Sequence, residues 1–382
     1  MKMKRTDFLP LAKPFISDDE LNAAHEVLKS GWWTTGPKVT EFETSLCAYL
    51  TEKDDLHAVG LNSCTAALHL ALLACGVGEG DEVIVPTWTF AATAHVVEWV
   101  GAKVVLCDIE GYSLNIDLKK AETLITDKTK AIMPVHIAGF PCDMESVAAL
   151  AKKYGLKVIE DAAHAIGTEY KGTKVGNFSD VTCFSFYATK NLAMGEGGAA
   201  VSKDKEIIEK IRKLGYFGIN KEAFKRYEKS GTWRYDIEEM GYKNNLDSVH
   251  AAIGIEQLKK LDMLNSRRRR IAATYKEKLS RKLEFTADST EHHHTYHLFP
   301  ILLPAGINRD DFMNAMKEEN IGTSVHFIPL HLHSYYASKL EGAKFEIADD
   351  VFQRIVSIPM FPSMSDNDTM YVIDKINTYL ED

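Results

Sequence analysis

Short apolar segments rich in β-branched residues alternate with helix-length segments through the first half of the chain, and no other feature restricts the fold as strongly. The strand-like segments are residues 82–85, 103–107, 130–135, 156–159, 181–186 and 199–202. The helix-like segments, with apolar residues at helical spacing, are 65–75, 90–100, 117–126 and 144–154. This alternation predicts an α/β fold with a mostly parallel sheet, right-handed crossovers and helices on both faces.

Two helices are predicted ahead of the sheet. Ser17 and Glu20 have capping-box spacing at the start of the first helix, which should end near Gly31. A second helix should begin at Gly36-Pro37, because proline suits the first helical turn.

The pattern changes after residue 246. One long helix should run to about residue 282, followed by a strand, a helix, another strand and a last helix near residues 366–380. We therefore predict a large domain in residues 1–245. Residues 246–382 should form a connecting helix and a small α+β domain.

Composition excludes several classes of protein. The 382 residues, 45% of them hydrophobic, can bury a large core, and the net charge of −9 argues against general binding to nucleic acid or anionic membranes. Apolar stretches such as 66–75 are shorter than the roughly 20 residues that span a bilayer, and residues 1–5 begin no signal peptide. We expect a cytoplasmic protein. Its six cysteines lack metal-binding spacing, so we expect buried thiols and no metal site.

Two clusters of basic residues need a separate interpretation. Residues 267–270 are four consecutive arginines in the long predicted helix, where we expect a solvated face or a stripe of ion pairs. The histidines at 292–294 and 297 could hold a metal. Because they precede an apolar strand and have no cysteine or carboxylate at ligand spacing, we favour a surface turn.

A lysine in an unusual setting is the strongest chemical signal. Lys190 follows the predicted strand 181–186 in a weakly polar stretch that continues into the glycine-rich residues 195–198. Burial lowers the pKa of a lysine, and the neutral amine can then form an imine with an aldehyde. A solvated loop lysine is the ordinary alternative. Ser185 and the glycines, which permit a tight turn beside a ligand, favour the catalytic interpretation.

A carboxylate ends a neighbouring predicted strand. Asp161 closes the buried segment 158–161, and ligands bind at the carboxyl ends of strands in open α/β sheets. An aspartate there can pair with a protonated pyridine nitrogen, which makes the ring an electron sink. Asp161 alone could equally be a helix N-cap, and the downstream lysine favours the functional interpretation.

A third segment, residues 62–68, lies where a helix should begin. Free backbone N–H groups at a helix N-terminus and the Thr65 hydroxyl would make a phosphate site, although ordinary helix capping is the alternative. Phe90 follows the strand that ends at Pro86. It could stack on an aromatic ring or be an ordinary core phenylalanine.

In this order the segments resemble the fold-type I enzymes that depend on pyridoxal 5'-phosphate (PLP). They resemble most closely the DegT/DnrJ/EryC1/StrS family of nucleotide-sugar aminotransferases. The resemblance covers nearly the whole chain. It rests on the combination of residues 36–43, 65–68, 86–94, 134–136, 160–164 and 185–198. It implies a seven-stranded sheet in a large PLP-binding domain, PLP as cofactor with pyridoxamine phosphate as its intermediate form, and a homodimer with shared active sites.

The resemblance also implies roles for single residues. Lys190 would form the Schiff base with PLP, Asp161 would pair with the pyridine nitrogen, and His164 would approach the ring hydroxyl. The other implied contacts are Phe90 on the ring face, Cys64, Thr65 and Ser185 around the phosphate, and Lys243 from the partner subunit at that phosphate.

Two positions depart from the family pattern. Cys64 stands where the family often has glycine, and Lys243 stands where many members have asparagine, although lysine still binds phosphate as a point charge. The family also contains dehydratases in which histidine replaces the Schiff-base lysine. The presence of Lys190 favours transamination.

The resemblance extends to the substrate. Residues 322–331 are similar to the stretch that lines the sugar pocket of members acting at C4 of 4-keto-6-deoxy sugars. His326 is a candidate sugar contact, with a core histidine as the alternative, and Trp33 and Thr35 are candidates for another wall. The implied reaction moves the amino group of glutamate to UDP-2-acetamido-2,6-dideoxy-4-keto-hexose, as in bacillosamine-type pathways.

Other functions remain open at this point. The carrier and position could differ, as in a dTDP- or GDP-linked 4-keto or 3-keto-6-deoxysugar. A PLP-dependent sugar dehydratase or lyase would keep the fold and change the reaction. A non-catalytic regulatory protein would keep only the fold.

Overall fold

The computed structural model describes residues 4–219, 235–340 and 342–381, and a seven-stranded sheet forms its centre. The strands are β1 (His57–Leu61), β2 (Glu82–Pro86), β3 (Lys103–Cys107), β4 (Thr129–Ile132), β5 (Lys157–Asp161), β8 (Val181–Ser185) and β9 (Gly198–Ser202). Their order across the sheet is β1-β9-β8-β5-β4-β2-β3. Strands β3, β2, β4, β5 and β8 pair in parallel, and β9 is antiparallel to both of its neighbours. The predicted α/β fold with a mostly parallel sheet is confirmed.

Helices and short strands complete this part of the molecule. The helices are α1 (Asp18–Ser30), α2 (Pro37–Leu50), α3 (Cys64–Ala74), α4 (Ala91–Trp99), α5 (Leu118–Thr123), α6 (Met144–Tyr154) and α7 (Lys205–Leu214). A small ribbon consists of β6 (Glu169–Tyr170) and β7 (Thr173–Lys174). The strand β1 has no counterpart among the segments predicted from periodicity.

The helix-start signals at the N-terminal end are confirmed in detail. Ser17 and Glu20 form the reciprocal hydrogen bonds of a capping box at the start of α1. Gly31 ends this helix in the left-handed conformation with φ of 75°, which glycine adopts without steric cost. Pro37 is the first residue of α2.

A second sheet lies in the C-terminal part of the chain, after the long helix α8 (Ser248–Lys278). It is antiparallel and consists of β10 (Glu284–Phe285), β11 (Phe299–Leu302) and β12 (Ile355–Ile358). The helices in this part are α9 (Arg309–Glu318), α10 (Ser334–Ala337), α11 (Glu346–Arg354) and α12 (Asp366–Glu381). The helix α8 contacts α1, α2 and α12, so it connects the two parts of the fold.

The two basic clusters correct the sequence analysis. Arg268 is only 2% exposed and donates hydrogen bonds to the carbonyls of Tyr296, His297 and Met360, so it is not part of a solvated stripe. His294 and His297 are buried as well, and the predicted surface turn is wrong for both. A buried guanidinium is tolerated here because backbone carbonyls accept its hydrogen bonds.

Within residues 4–219, 235–340 and 342–381, no helix combines the length and the apolar character that crossing a lipid bilayer requires.

Candidate active site

A cavity of about 550 Å³ opens at the carboxyl ends of β5 and β8, beside the first turns of α3 and α4. This is the edge at which ligands bind in open α/β sheets. The predicted site residues that line it are Cys64, Thr65, Phe90, Asp161, His164, Ser185, Lys190 and His326. Residues more than two hundred positions apart in sequence thus meet in one place.

Lys190 lies in the turn that follows β8. Its backbone N–H donates to the carbonyl of Tyr187 at 2.8 Å, and its side chain is half-buried at the cavity wall. Burial lowers the pKa of Lys190 to about 8, and the nearby Asp161 carboxylate opposes this shift. A substantial fraction of the amine is therefore neutral near pH 8 and able to attack a carbonyl carbon.

Asp161 is the last residue of β5 and is 5% exposed. Its Oδ2 accepts a hydrogen bond of 2.7 Å from the hydroxyl of Thr93, and its Oδ1 accepts one of 3.1 Å from the backbone N–H of Ala163. Burial raises the pKa of this carboxyl, while these two donors and Lys190 act in the opposite direction. The carboxylate is thus fixed in direction and faces the cavity.

His164 is held so that one ring nitrogen has a defined role. Its Nδ1 accepts a hydrogen bond of 3.3 Å from the backbone N–H of Ala138. Burial puts the pKa of His164 well below its usual value, so the ring is neutral. A neutral imidazole that accepts at Nδ1 carries its proton on Nε2, which makes Nε2 a hydrogen-bond donor.

The first turn of α3 forms a corner for an anion. The hydroxyl of Ser63 caps the N–H of Ala66 at 3.1 Å, which leaves the earlier N–H groups at Cys64 and Thr65 at the positive end of the helix. Gly198 permits the close approach of β9 to this corner, because a Cβ at this position would overlap the backbone of Ser63 and Cys64. A phosphate suits such a helix N-terminus.

Two aromatic rings and a further histidine, His326, also line the cavity. Phe90 is 62% exposed, and its ring centroid lies 5.9 Å from that of Phe327. The Nδ1 of His326 lies 3.1 Å from the Ser357 hydroxyl, and burial lowers the pKa of His326 to about 4. His326 therefore faces the cavity as a neutral ring.

Two residues at or behind this cavity, Thr93 and His297, were missed in the sequence analysis. Thr93 contacts Asp161 directly, and His297 lies with its ring centroid 4.3 Å from that of His164. The Nδ1 of His297 lies 3.2 Å from Oδ1 of Asn191, which fixes the ring. The four-residue spacing of Thr89 and Thr93 is the one sequence feature that could have drawn attention to Thr93. No local pattern predicted the position of His297.

Three predicted site residues lie elsewhere. Lys243 is exposed, and its Nζ contacts the side chain of Asn245 and lies 4.7 Å from the ring centroid of Tyr216. Trp33 shares a shallow surface depression with Lys243, and the Thr35 hydroxyl donates to the carbonyl of Leu246 at 2.6 Å. We call this depression, which also includes Thr34, Asn245, Asp247, Val249 and His250, the Lys243 depression. Neither Trp33, Thr35 nor Lys243 lines the cavity of its own chain.

Comparison with known proteins decides the family. The model of the DegT/DnrJ/EryC1/StrS aminotransferase family matches residues 14–377. The chain belongs to this family. The aminotransferase also resembles individual relatives along its whole length. It is 44% identical, over 98% of both chains, to the spore coat polysaccharide biosynthesis protein SpsC of Bacillus subtilis.

Solved structures of the family agree with the fold of this aminotransferase. The putative sugar aminotransferase Spr1654 of Streptococcus pneumoniae, in its PMP form, has a TM-score of 0.91 and 32% identity, with 98% of this chain and 99% of that chain covered. The Helicobacter pylori aminotransferase PseC, involved in the biosynthesis of pseudoaminic acid, has a TM-score of 0.91 and 28% identity, with 98% and 100% covered. The fold is therefore that of the fold-type I PLP enzymes.

PLP is the cofactor of this aminotransferase, as it is of the family, and a related structure exists in both the PLP and the PMP form. The cavity fits the molecule chemically. It contains an amine with a lowered pKa, a buried carboxylate and a helix N-terminus, which suit an aldehyde, a ring nitrogen and a phosphate respectively.

Proposed function

We propose that this aminotransferase moves the amino group of glutamate to a nucleotide-linked 4-keto-6-deoxy sugar. As the substrate we propose UDP-2-acetamido-2,6-dideoxy-4-keto-hexose, which a bacillosamine-type pathway would use. One observation carries the proposal: the Lys190 amine and the Asp161 carboxylate line the same cavity and influence each other's pKa. A lysine and an aspartate so placed can engage opposite parts of one pyridine ring.

The cofactor contacts follow from the cavity. Asp161 would pair with the ring nitrogen, and Nε2 of His164 would donate to the ring hydroxyl. Phe90 would cover one face of the ring. The contacts proposed for the phosphate are the N–H groups at Cys64 and Thr65, the Thr65 hydroxyl and the buried hydroxyl of Ser185.

PLP supplies an aldehyde for covalent attachment and a protonated ring that accepts the electrons released at a substrate carbon. The protein supplies the proton carrier. When its Nζ is free, Lys190 would take the proton from the α-carbon of glutamate, and in the second half-reaction it would return a proton to the sugar carbon that receives nitrogen. Burial suits this role, because a pKa of about 8 lets Lys190 both accept and release a proton near neutral pH.

The sugar would lie between the cavity and a second subunit. His326 is already at the cavity wall and can contact a sugar hydroxyl or carbonyl from there. We propose a homodimer in which Lys243 of the partner subunit reaches the cofactor phosphate, and in which Trp33 and Thr35 contribute to the sugar site. The exposed side chains of Trp33 and Lys243 support this arrangement, since they can contact another surface.

Two relatives support an amino-sugar product. SpsC is named for spore coat polysaccharide biosynthesis, and PseC is an aminotransferase of pseudoaminic acid biosynthesis. The choice of UDP as carrier and of C4 as position rests on the similarity of residues 322–331 to the sugar pocket of C4 enzymes. Small differences between sugars change binding by only a few kcal/mol, so substrate identity needs a direct assay.

The test is a panel of UDP-, dTDP- and GDP-linked 4-keto and 3-keto-6-deoxy sugars, each incubated with purified PLP-loaded protein and glutamate. We expect 2-oxoglutarate and one amino sugar in equal amounts, with the highest kcat/KM for the UDP-linked 2-acetamido-4-keto sugar. Mass spectrometry and NMR identify the product and its position. A higher kcat/KM on another carrier or at C3 would overturn the substrate assignment.

A separate measurement tests the reaction class. Glutamate alone should convert the yellow PLP form to the PMP form and release one 2-oxoglutarate per subunit. Loss of water from the sugar without consumption of glutamate would indicate a dehydratase. Protein that neither binds PLP nor changes its absorbance would indicate a non-catalytic function.

A further inference from the structure

Two threonines form a buried hydrogen-bond chain that ends on Asp161. The hydroxyls of Thr89 and Thr93 lie 2.7 Å apart, and the Thr93 hydroxyl lies 2.7 Å from Oδ2 of Asp161. Thr89 is 2% exposed and Thr93 is fully buried. Thr93 belongs to the first turn of α4, and Thr89 precedes that helix by two residues. Both are thus held by the backbone.

The chemistry of these groups decides which of them donates and which accepts in each hydrogen bond. An ionised carboxylate only accepts hydrogen bonds, so Thr93 donates its one hydroxyl proton to Asp161. The Thr93 oxygen then accepts the proton of Thr89. Both hydroxyl dipoles therefore point their positive ends toward the carboxylate, and such chains strengthen each member in a low-dielectric interior.

We propose that Thr93, supported by Thr89, is a positioning residue that fixes Oδ2 of Asp161 and keeps this carboxylate ionised for the ring nitrogen of the cofactor. The inference rests on the proposed role of Asp161. It adds to that role the two hydroxyls that hold the carboxylate from the side of α4, to which the sequence analysis assigned no function.

Other groups around Asp161 do not replace the threonines. Lys190 faces it from the turn after β8, and His136 faces it from the segment after β4. The thiols of Cys64 and Cys183 also lie near it, from α3 and β8, and burial raises the pKa of both well above the usual value, so they stay neutral.

His136 acts on Asp161 without a side-chain hydrogen bond to it. Burial lowers the pKa of His136, but the neighbouring Cys142 and Glu160 raise it to about 10. Its Nε2 lies 2.7 Å from the Glu160 carboxylate, so a charge on this ring is paired with Glu160. Thr93 and the N–H of Ala163 are then the direct donors to this carboxylate among the described residues.

The decisive experiment compares Thr93→Val with Thr93→Ser in PLP-loaded protein. Valine removes the donor and keeps the shape, whereas serine keeps the donor. Equilibrium dialysis measures PLP affinity between pH 5 and 9, without any sugar substrate. We expect Thr93→Val to weaken PLP binding about tenfold or more, since a hydrogen bond to a charged group is lost, and Thr93→Ser to bind nearly as the wild type.

The pH dependence of PLP affinity shows in which direction the pKa of Asp161 shifts when the Thr93 hydroxyl is lost. The Thr93 hydrogen bond favours the ionised form of Asp161, so its loss raises the pKa of this carboxyl. The acid-side decline in PLP affinity should therefore move to higher pH in Thr93→Val. Thr89→Val should shift it in the same direction by a smaller amount, because it removes only the second donor in the chain.

Thr369→Val is the matched control. Thr369 is also a buried threonine in the first turn of a helix, α12, and its hydroxyl donates to the Ser365 carbonyl at 3.1 Å. It does not line the cavity. Its loss should lower the thermal unfolding temperature and leave PLP affinity and its pH dependence unchanged. This separates a general packing defect from an effect on Asp161.

Asp161→Asn separates the inference from the proposed function. If Asp161→Asn weakens PLP binding strongly and Thr93→Val matches the wild type in affinity and pH dependence, the role of Thr93 is wrong and that of Asp161 stands. If Asp161→Asn itself binds PLP normally, the proposed role of Asp161 fails. Weak binding in both Thr93→Val and Thr93→Ser, with normal folding, would also contradict the inference, because it would indicate packing rather than the hydroxyl.

Discussion

The cavity and the Lys243 depression differ in how completely one chain builds them. In the cavity, Asp161 and His164 are buried and hydrogen-bonded within the chain, and Lys190 lies half-buried beside them. In the Lys243 depression, the side chains of Trp33 and Lys243 are exposed. The first region is preorganised by its own fold, whereas the second leaves its groups exposed at the surface.

This difference separates two kinds of contribution to catalysis. Groups that must hold a fixed direction and a shifted pKa need burial, which the strand ends and helix starts of one chain supply. A contact to a phosphate can come from an exposed lysine, because it acts as a point charge on a flexible stem. We therefore expect variants in the cavity to affect chemistry, and variants in the depression to affect binding across the proposed dimer.

The largest effect should follow the loss of Lys190. Lys190→Ala removes both the amine and the proton carrier, so we expect amino transfer to fall by about 10⁴-fold or more. PLP should still bind through its phosphate and ring contacts. Formation of 2-oxoglutarate from glutamate measures the loss, and Lys190→Arg, which keeps a charge without a titratable amine, should be equally inactive. Near-normal turnover in either variant would remove Lys190 from the mechanism.

The pKa of Lys190 predicts how PLP attachment depends on pH. Burial lowers this pKa to about 8, and only the neutral amine attacks an aldehyde. The rate of covalent PLP attachment to the apoprotein should therefore rise about tenfold per pH unit below pH 8 and level off above it. Stopped-flow absorbance measures this rate. A rise that continues to pH 10 would mean that Lys190 behaves as a solvated lysine.

A mixed dimer tests whether the two regions belong to one site. Lys243→Gln should weaken PLP binding by about tenfold to a hundredfold, as expected for the loss of one charged phosphate contact. Subunits carrying Lys190→Ala and subunits carrying Lys243→Gln, mixed under conditions that exchange subunits, should regain activity at PLP concentrations where neither parent works. Each such dimer has one site with both native lysines.

Two results of the mixing experiment would contradict a site shared between subunits. If Lys243 served its own chain, mixing would add nothing to the sum of the two parents. A protein that is monomeric at assay concentration and fully active would likewise contradict the shared site. Sedimentation measures the oligomeric state in the same samples.

A substitution at Gly198 tests the proposed phosphate site at the start of α3, which a single chain forms. A methyl group at this position overlaps the backbone at the start of α3, so we expect Gly198→Ala to destabilise the protein by about 1–3 kcal/mol and to weaken PLP binding. Gly78→Ala is the control, since the nearest atom to its added Cβ is a carbonyl oxygen at 3.9 Å. Urea unfolding and PLP titration check both variants. Unchanged stability in Gly198→Ala would show that β9 need not approach α3 so closely.

The smallest effects should distinguish the two candidate sugar contacts. His326→Ala should raise the KM for the keto sugar by about tenfold and leave PLP affinity unchanged, because one neutral hydrogen bond is lost. Trp33→Ala should do the same only in a dimer, since Trp33 lies outside the cavity of its own chain. Steady-state kinetics with saturating glutamate measures both. An unchanged KM in His326→Ala would mean that His326 is a structural residue held by Ser357.

Much of the fold was predictable from local pattern. The capping box at Ser17 and Glu20, the proline at the start of α2 and the strands that end at Cys107 and Ser202 match the structure to within a residue or two. Such features depend on hydrogen bonds and apolar spacing within a few residues, so a short stretch of sequence is enough to predict them. The short strand β1 was missed because its five residues carry no strong periodic pattern.

The basic clusters show where local pattern fails. Four consecutive arginines are ordinarily solvated, yet Arg268 is buried because carbonyls of the segment after residue 295 and of Met360 converge on it. The same convergence brings His297 into the cavity wall. No spacing within the sequence indicates which carbonyls will lie near Arg268, because they come from elements far along the chain.

The sequence by itself determined the alternating fold, the family resemblance and the identity of Lys190 and Asp161, since each depends on short motifs. Only the tertiary structure decided which groups act on them: the threonine chain from α4 on Asp161, the N–H of Ala138 that sets the proton of His164, and the outward position of Lys243. The reason is physical. A pKa or a tautomer depends on groups within a few ångströms, and the sheet brings those groups together from separate crossovers.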